Sequence, residues 1–120
     1  MDIESFREYC LRRAGTVTES EPFGEGALVF KVEGKMFALA ALNEAPPSVN
    51  LKCDPEEALA LRERYDAVRP GYHMNKRLWN TVVLDGSVPD REVRAMIDAS
   101  HALVVAGLPK KVRDKILAKK

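Results

Sequence analysis

The chain has 120 residues, of which 46% are hydrophobic and 31% are charged, and its formal net charge is +1. This length supports one hydrophobic core, and the composition is that of a soluble globular protein rather than a disordered one. No segment approaches the roughly 18 uncharged apolar residues of a membrane span, and the N-terminus MDIESFREYCLRR lacks the apolar run of a secretory signal, so we expect one cytoplasmic domain, residues 1–120.

Residues 2–14 are predicted to form an amphipathic helix, because apolar side chains recur at helical spacing. Asp2 is a plausible N-cap and Gly15 a plausible stop. A short extended run follows in TVTES. The segments ALVFKV and MFALAAL then predict a β-hairpin, since Gly34 between them supplies the positive φ of a tight turn.

The middle of the chain alternates between strand and helix signals. Pro46 and Pro47 interrupt the sheet pattern, and SVNLK then predicts another strand. In DPEEALALRERY, Asp54 is a capping residue and Pro55 suits the first helical position. Pro70-Gly71 predicts a turn, and the alternating WNTVVLDG predicts a strand.

The last third is predicted to be helical. A long helix begins near Pro89 and ends at Gly107, and a shorter basic helix follows Pro109. The apolar face of the long helix is expected to contain Val93, Met96, Ile97, Ser100, Leu103 and Val104. This order of elements predicts an α+β fold with two layers, an antiparallel sheet covered on one face by helices.

Cysteine and histidine residues indicate no metal site and no catalytic constellation. Cys10 and Cys53 are far apart and outside any CxxC motif, which predicts two reduced, partly buried thiols. His101 is expected to be a partly buried, hydrogen-bonded residue of the long helix, and no partner is evident for His73. We therefore expect neither a cofactor nor a metal, and no enzymatic activity.

The stretch RPGYHMNKRLWNTV, residues 69–82, contains three fixed cations and no acid. Its contrast with the rest of the chain comes from the charge distribution. Residues 108–120 carry six Lys/Arg and one Asp, so the remaining 107 residues carry 13 Lys/Arg against 17 Asp/Glu. The body is net acidic, and an anion-binding face must be local.

Three segments together resemble the MmcQ/YjbR family of small bacterial proteins: VNLKCDPEEA, RPGYHMNKRLWNTV and LDGSVPDREVRAMIDASHALV. The resemblance covers essentially the whole chain. It implies a fold related to CyaY and frataxin, also described as a double wing, and a DNA-binding role. The frataxin relation also raises iron binding, which needs clustered carboxylates. Here Arg7, Arg12 and Arg13 share the first helix with its acids, so iron binding is the weaker hypothesis.

The leading hypothesis is a monomeric protein that contacts nucleic acid weakly through a basic and aromatic surface. Its cations would contact phosphates, its aromatic rings would stack, and its amide would contact bases or backbone. The predicted site residues are Lys52, Arg69, Tyr72, His73, Lys76, Arg77, Trp79 and Asn80. Among them, Lys52 is included because the family resemblance suggests that its strand end lies beside the loop.

Three alternatives remain open for the same residues. They could be structural, with Trp79 covering an end of the core. They could form a concave site for a protein or a small anion. An enzyme would instead require a carboxylate or thiol beside His73. The basic tail, with Lys110, Lys111, Arg113 and Lys115 among its cations, is expected to modulate affinity rather than define a site.

Overall fold

The structure is a computed structural model that describes residues 1–22, 24, 26–72 and 74–118. Within these residues it contains four helices and six strands. In chain order they are α1 Ile3–Leu11, β1 Val17–Ser20, β2 Ala27–Val32, β3 Lys35–Ala41, β4 Ser48–Lys52, α2 Pro55–Arg64, β5 Val68–Pro70, β6 Trp79–Val83, α3 Asp90–Ala106 and α4 Lys110–Ala118. No helix of this described part has the length and apolar character to cross a bilayer.

The strands form one antiparallel sheet in the order β1-β2-β3-β4-β6-β5. α3 packs across β2, β3 and β4, while α1 lies against β1 and α2 against β5. The predicted two-layer α+β fold is therefore confirmed. The core lies between sheet and helices, where the rings of Phe6 and Phe30 meet edge to face at 5.9 Å between their centroids.

Local signals placed most elements correctly. The Asp2 carboxylate accepts a hydrogen bond from the Ser5 N–H at 2.8 Å, and Asp54 caps α2 in the same way. Glu33 and Gly34 form the two-residue hairpin turn with φ of 50° and 80°, the combination that a type I′ turn requires. Gly107 caps α3 as predicted.

Some details of the fold differ from the sequence prediction. β5 occupies part of a segment predicted as a turn, because three residues pair with the edge of β6 before the chain leaves the sheet. Leu103 is 38% exposed and does not belong to the buried face of α3, where His101 and Val105 lie instead.

The second face of the sheet carries no helix. Cross-strand neighbours point to the same side of a sheet, so Leu39, Asn50, Thr81 and Arg69 form one row across β3, β4, β6 and β5 on this face. Two residues farther along the strands, Lys52 and Trp79 form the next pair on this side. We call this side of the sheet the bare face.

Candidate nucleic-acid interface

The loop between β5 and β6 contains a compact turn at residues 75–79, here named the basic turn. The Asn75 backbone carbonyl accepts hydrogen bonds from the N–H groups of Leu78 at 3.1 Å and Trp79 at 2.9 Å. The Asn75 side-chain Oδ1 accepts from the Arg77 N–H at 3.0 Å. Asn75 therefore fixes the backbone that carries Lys76 and Arg77, two exposed side chains.

Arg62 of α2 holds the same turn from the helix side. Its Nε donates to Asn80 Oδ1 at 2.7 Å, and its Nη2 donates to the backbone carbonyls of Lys76 and Trp79. Sequence reasoning did not identify Arg62. The contact joins residues 14 to 18 positions apart, so no local spacing signals it.

Gly71 allows the loop to pack closely against β6. Its N–H donates to the Trp79 carbonyl at 2.9 Å. A Cβ at this position would lie 2.8 Å from Trp79 Cβ and 2.9 Å from the Trp79 carbonyl oxygen, closer than side-chain carbons approach such atoms. Glycine is required here for close approach, with ordinary backbone angles.

Lys52 and Trp79 lie opposite each other in the register of β4 and β6. Both side chains are partly exposed, and the bare-face side of this pair adjoins the basic turn. The structure thus places Lys52 beside Trp79, the last residue of the basic turn. The indole N–H of Trp79 has no hydrogen-bond partner among the described residues.

Arg69 and Tyr72 lie at the border of a groove in the bare face rather than on the basic turn. The Tyr72 backbone N–H donates to Thr81 Oγ1 at 3.0 Å, and the Tyr72 side chain is 65% exposed. Arg69 is also exposed. Two hydrogen bonds from Ser87 and, more weakly, the charge of Arg69 lower the pKa of the nearby Asp85.

Asn80 is not positioned to meet a ligand on this surface. It is 3% exposed, faces the helix layer, and donates from Nδ2 to the Ala58 carbonyl at 3.3 Å while Oδ1 accepts from Arg62. Side chains alternate between the two faces along a strand, so Asn80 points to the face of the sheet away from Trp79 and Thr81. His73, also among the predicted site residues, lies outside the described residues.

The alternative of a concave site for a protein or a small anion agrees with the structure for only some of the predicted residues. The groove has a volume of about 820 Å³ and includes Arg69 and Tyr72, but Lys76, Arg77 and Trp79 do not line it. The predicted surface therefore divides into two parts. One is the basic turn with Lys52, and the other is the groove with Arg69 and Tyr72.

The helical tail lies elsewhere. Lys111 and Lys115 line a separate cavity of about 520 Å³ together with Gly15, Thr16 and Glu33. Lys110 and Arg113 both pair with Asp114. These cations do not line the groove of the bare face, so the tail shares no described cavity with Arg69 or Tyr72.

The described residues contain no group of three His, Cys, Asp or Glu side chains close enough to hold a metal ion. The Arg7 guanidinium of α1 makes a paired contact with the Glu19 carboxylate of β1, with Nε to Oε2 at 2.7 Å. Arg7 therefore already pairs with a carboxylate that a cluster of iron ligands would need. Cys10 and Cys53 are both buried free thiols, as predicted.

Relatives of this chain come from several bacteria. It is 39% identical to the Escherichia coli protein YjbR over 113 residues, which are 94% of this chain and 95% of that protein. It is 36% identical to Escherichia coli YbdF over 119 residues, 97% of this chain and 98% of the relative. The names of both relatives call them uncharacterised and state no activity.

Solved structures show the same fold. A Deinococcus radiodurans crystal structure described as a DUF419 domain superposes with a TM-score of 0.89 at 34% identity, covering 96% of this chain and 87% of that one. A Pseudomonas syringae crystal structure gives 0.75 at 26% identity, covering 86% and 98%. The YjbR family model matches residues 13–103, and with the identities to its relatives this establishes that the chain belongs to the YjbR family.

Proposed function

We propose that this protein binds nucleic acid weakly and without catalysis, through phosphate contacts of the basic turn and its neighbours. The observation that carries the proposal is the basic turn itself. It presents Lys76 and Arg77 side by side on a backbone fixed by Asn75 and Arg62. Within the described parts of the chain neither cation contacts a carboxylate, and residues 67–84 contain no acid.

The neighbours of the turn supply the other parts of such an interface. Lys52 and Arg69 add two cations, and the side chains of Tyr72 and Trp79 offer partly or largely exposed rings. Phosphate contacts by Lys and Arg give affinity without sequence information, and exposed aromatic rings stack on unpaired bases. A cytoplasmic location and a monomeric state belong to the same proposal.

The direct test is a titration of fluorescein-labelled single strands and duplexes by anisotropy at several salt concentrations. Three or four phosphate contacts predict a slope of log K against log salt of about −3. Because the chain has a single tryptophan, Trp79 quenching provides a second measure of binding at the proposed surface. No binding at the lowest salt concentration would contradict the proposal.

A matched pair of double variants tests the location. Lys76→Gln with Arg77→Gln removes two cations from the basic turn, so the slope should become shallower by nearly two and affinity should fall for every sequence. Arg91→Gln with Arg94→Gln removes two exposed cations from α3, on the opposite side of the sheet. The α3 variant should retain the wild-type slope. Equal effects of the two variants would mean that nucleic acid responds only to the net charge of the protein and not to the basic turn.

A further inference from the structure

The groove of the bare face has a character different from that of the basic turn. Its volume is about 820 Å³ and its lining surface is mainly apolar, with aliphatic or thioether side chains from Ala27, Met36, Leu39, Ala41, Met74 and Val83. None of the described residues that line it belongs to a helix. Concave apolar sites with a few polar groups are typical of small-molecule binding.

Asn50 places an unused hydrogen-bond donor in the floor of this groove. The residue is 5% exposed and lines the groove. The Tyr72 N–H donates to Thr81 Oγ1 at 3.0 Å, and the Thr81 hydroxyl donates in turn to Asn50 Oδ1 at 2.6 Å. That chain fixes the orientation of the Asn50 amide, and its Nδ2 has no partner among the described residues.

Arg69 places a cation in the same row of the sheet. It pairs with Thr81, which pairs with Asn50, so two strand spacings, about 10 Å, separate the Cα atoms of Arg69 and Asn50. The long guanidinium side chain can cover much of this distance. The Arg69 guanidinium makes no ion pair with a carboxylate of the described residues. The carboxylates that form ion pairs there contact other cations.

The polar groups of the groove favour a ligand oxygen near Asn50 and Arg69 and disfavour an anionic oxygen near Glu44. Glu44 lies at the Ser48 side and accepts a hydrogen bond from the Ser48 hydroxyl at 3.0 Å. Thr81 and Ser48 have already donated their hydroxyl hydrogens to protein oxygens. Asn50 Nδ2 and the Arg69 guanidinium are donors of this row that match the two oxygens of a carboxylate.

We propose that this groove binds a small apolar carboxylic acid. The carboxylate lies between the Arg69 guanidinium and Asn50 Nδ2, and the hydrocarbon body lies over Leu39, Ala41 and Ala27. Glu44 repels the anionic end and so fixes the direction of the ligand. The groove shares Arg69 and Tyr72 with the proposed nucleic-acid contacts, but Lys76, Arg77 and Trp79 of the basic turn do not line it.

The experiment compares sodium octanoate with 1-octanol in ¹H–¹⁵N and methyl NMR titrations of the full chain, without nucleic acid. Octanoate should give saturable shifts at the Asn50 side-chain amide, the Tyr72 N–H and the Leu39 and Ala41 methyl groups. Octanol should bind at least tenfold more weakly, since it lacks the charge-assisted contacts. Equal binding of the two compounds, or no saturable shift with octanoate, would overturn the proposal.

Variants separate the parts of the site. Arg69→Gln should weaken octanoate binding about tenfold or more, and Ala41→Phe should abolish it by filling the groove. Arg69 is exposed, so its variant remains informative even if Ala41→Phe does not fold. Arg91→Gln, an exposed cation on α3, should leave binding unchanged. The double Gln variant of Lys76 and Arg77 should also bind octanoate normally, and a loss there would contradict a separate groove site.

Discussion

Arg62 connects α2 to the basic turn through three oxygen atoms, those of the Asn80 amide and of two backbone carbonyls. Its position in the structure is that of a support, since the Lys76 and Arg77 side chains point into solvent while Arg62 holds the backbone behind them. A side chain that binds no ligand can therefore control how two cations are presented.

Replacing Arg62 with Met keeps the aliphatic stem and removes every donor. The buried Asn80 Oδ1 loses the guanidinium partner, so the free energy of unfolding should fall by about 1–3 kcal/mol. Affinity for labelled single strands should fall as well, because the basic turn loses its anchor. Urea denaturation and anisotropy measure the two effects.

The matched control is Arg64→Met, an exposed residue of the same helix that lies over the Tyr65 ring at 5.9 Å. Its stability should stay within about 0.5 kcal/mol of wild type. Equal losses in the two variants would mean that the contacts of Arg62 to the turn carry no particular weight.

The residues of the candidate site were predictable to different degrees. Lys76 and Arg77 were proposed from the charge pattern, and the structure shows both side chains exposed on the basic turn. Asn80 was assigned to the ligand surface for its amide, although strand alternation with Trp79 already points it to the other face. Asn50 and Arg62 were missed, since their importance depends on partners distant in sequence.

At the scale of elements, α3 is joined to the sheet by one buried hydroxyl. Ser100 Oγ accepts from the Lys52 N–H at 2.9 Å and donates to the Phe37 carbonyl at 2.6 Å. Phe37 is the extra residue of a β-bulge, where Phe30 pairs with Ala38 and Lys31 with Met36. The hydroxyl thus satisfies backbone groups on two strands, β3 and β4.

Ser100→Ala should destabilise the protein more than loss of a surface hydroxyl. It leaves a buried carbonyl and an N–H without their partner, each at a cost of about 1–3 kcal/mol. Ser87→Ala is the control, since the Ser87 hydroxyl contacts Asp85 on the exposed surface. In chemical denaturation, the midpoint of Ser100→Ala should lie well below that of Ser87→Ala. Similar midpoints would show that water replaces the lost Ser100 hydroxyl.

The sequence predicted elements where a local rule applies. The caps at Asp2 and Asp54, the hairpin at Gly34 and the stop at Gly107 all follow from single residues with a defined conformational preference. β5 was missed because a three-residue strand ending in Pro70 has the local pattern of a turn. Its strand character comes from pairing with β6, which is information that only the assembled sheet contains.

At the scale of the whole molecule, the thiol of Cys10 lies in the core, fully buried on the inner face of α1. Burial in this apolar environment raises the pKa of Cys10 from 9.0 to about 12. Between these values the unfolded chain releases the proton while the native chain keeps it. Stability therefore falls as pH rises through this window.

The contribution of Cys10 can be isolated by comparing wild type with Cys10→Ala in urea denaturation from pH 8 to pH 11. Above pH 9 the wild-type free energy of unfolding should decline more steeply, by up to about 1.4 kcal/mol per pH unit. The Ala variant should be less stable throughout but have the shallower decline. Parallel pH profiles would show that other groups, such as Tyr9, dominate the alkaline response.

The bare face leaves the fold one layer thinner on one side of the sheet than on the other. A molecule that binds there adds a layer to the native state and has no comparable surface on the unfolded chain. By mass action its binding raises the melting temperature, and saturation at a hundred times the Kd adds about 2.7 kcal/mol to the free energy of unfolding. Thermal-shift screening of metabolite collections therefore tests whether a small molecule binds this face, without any assay of activity.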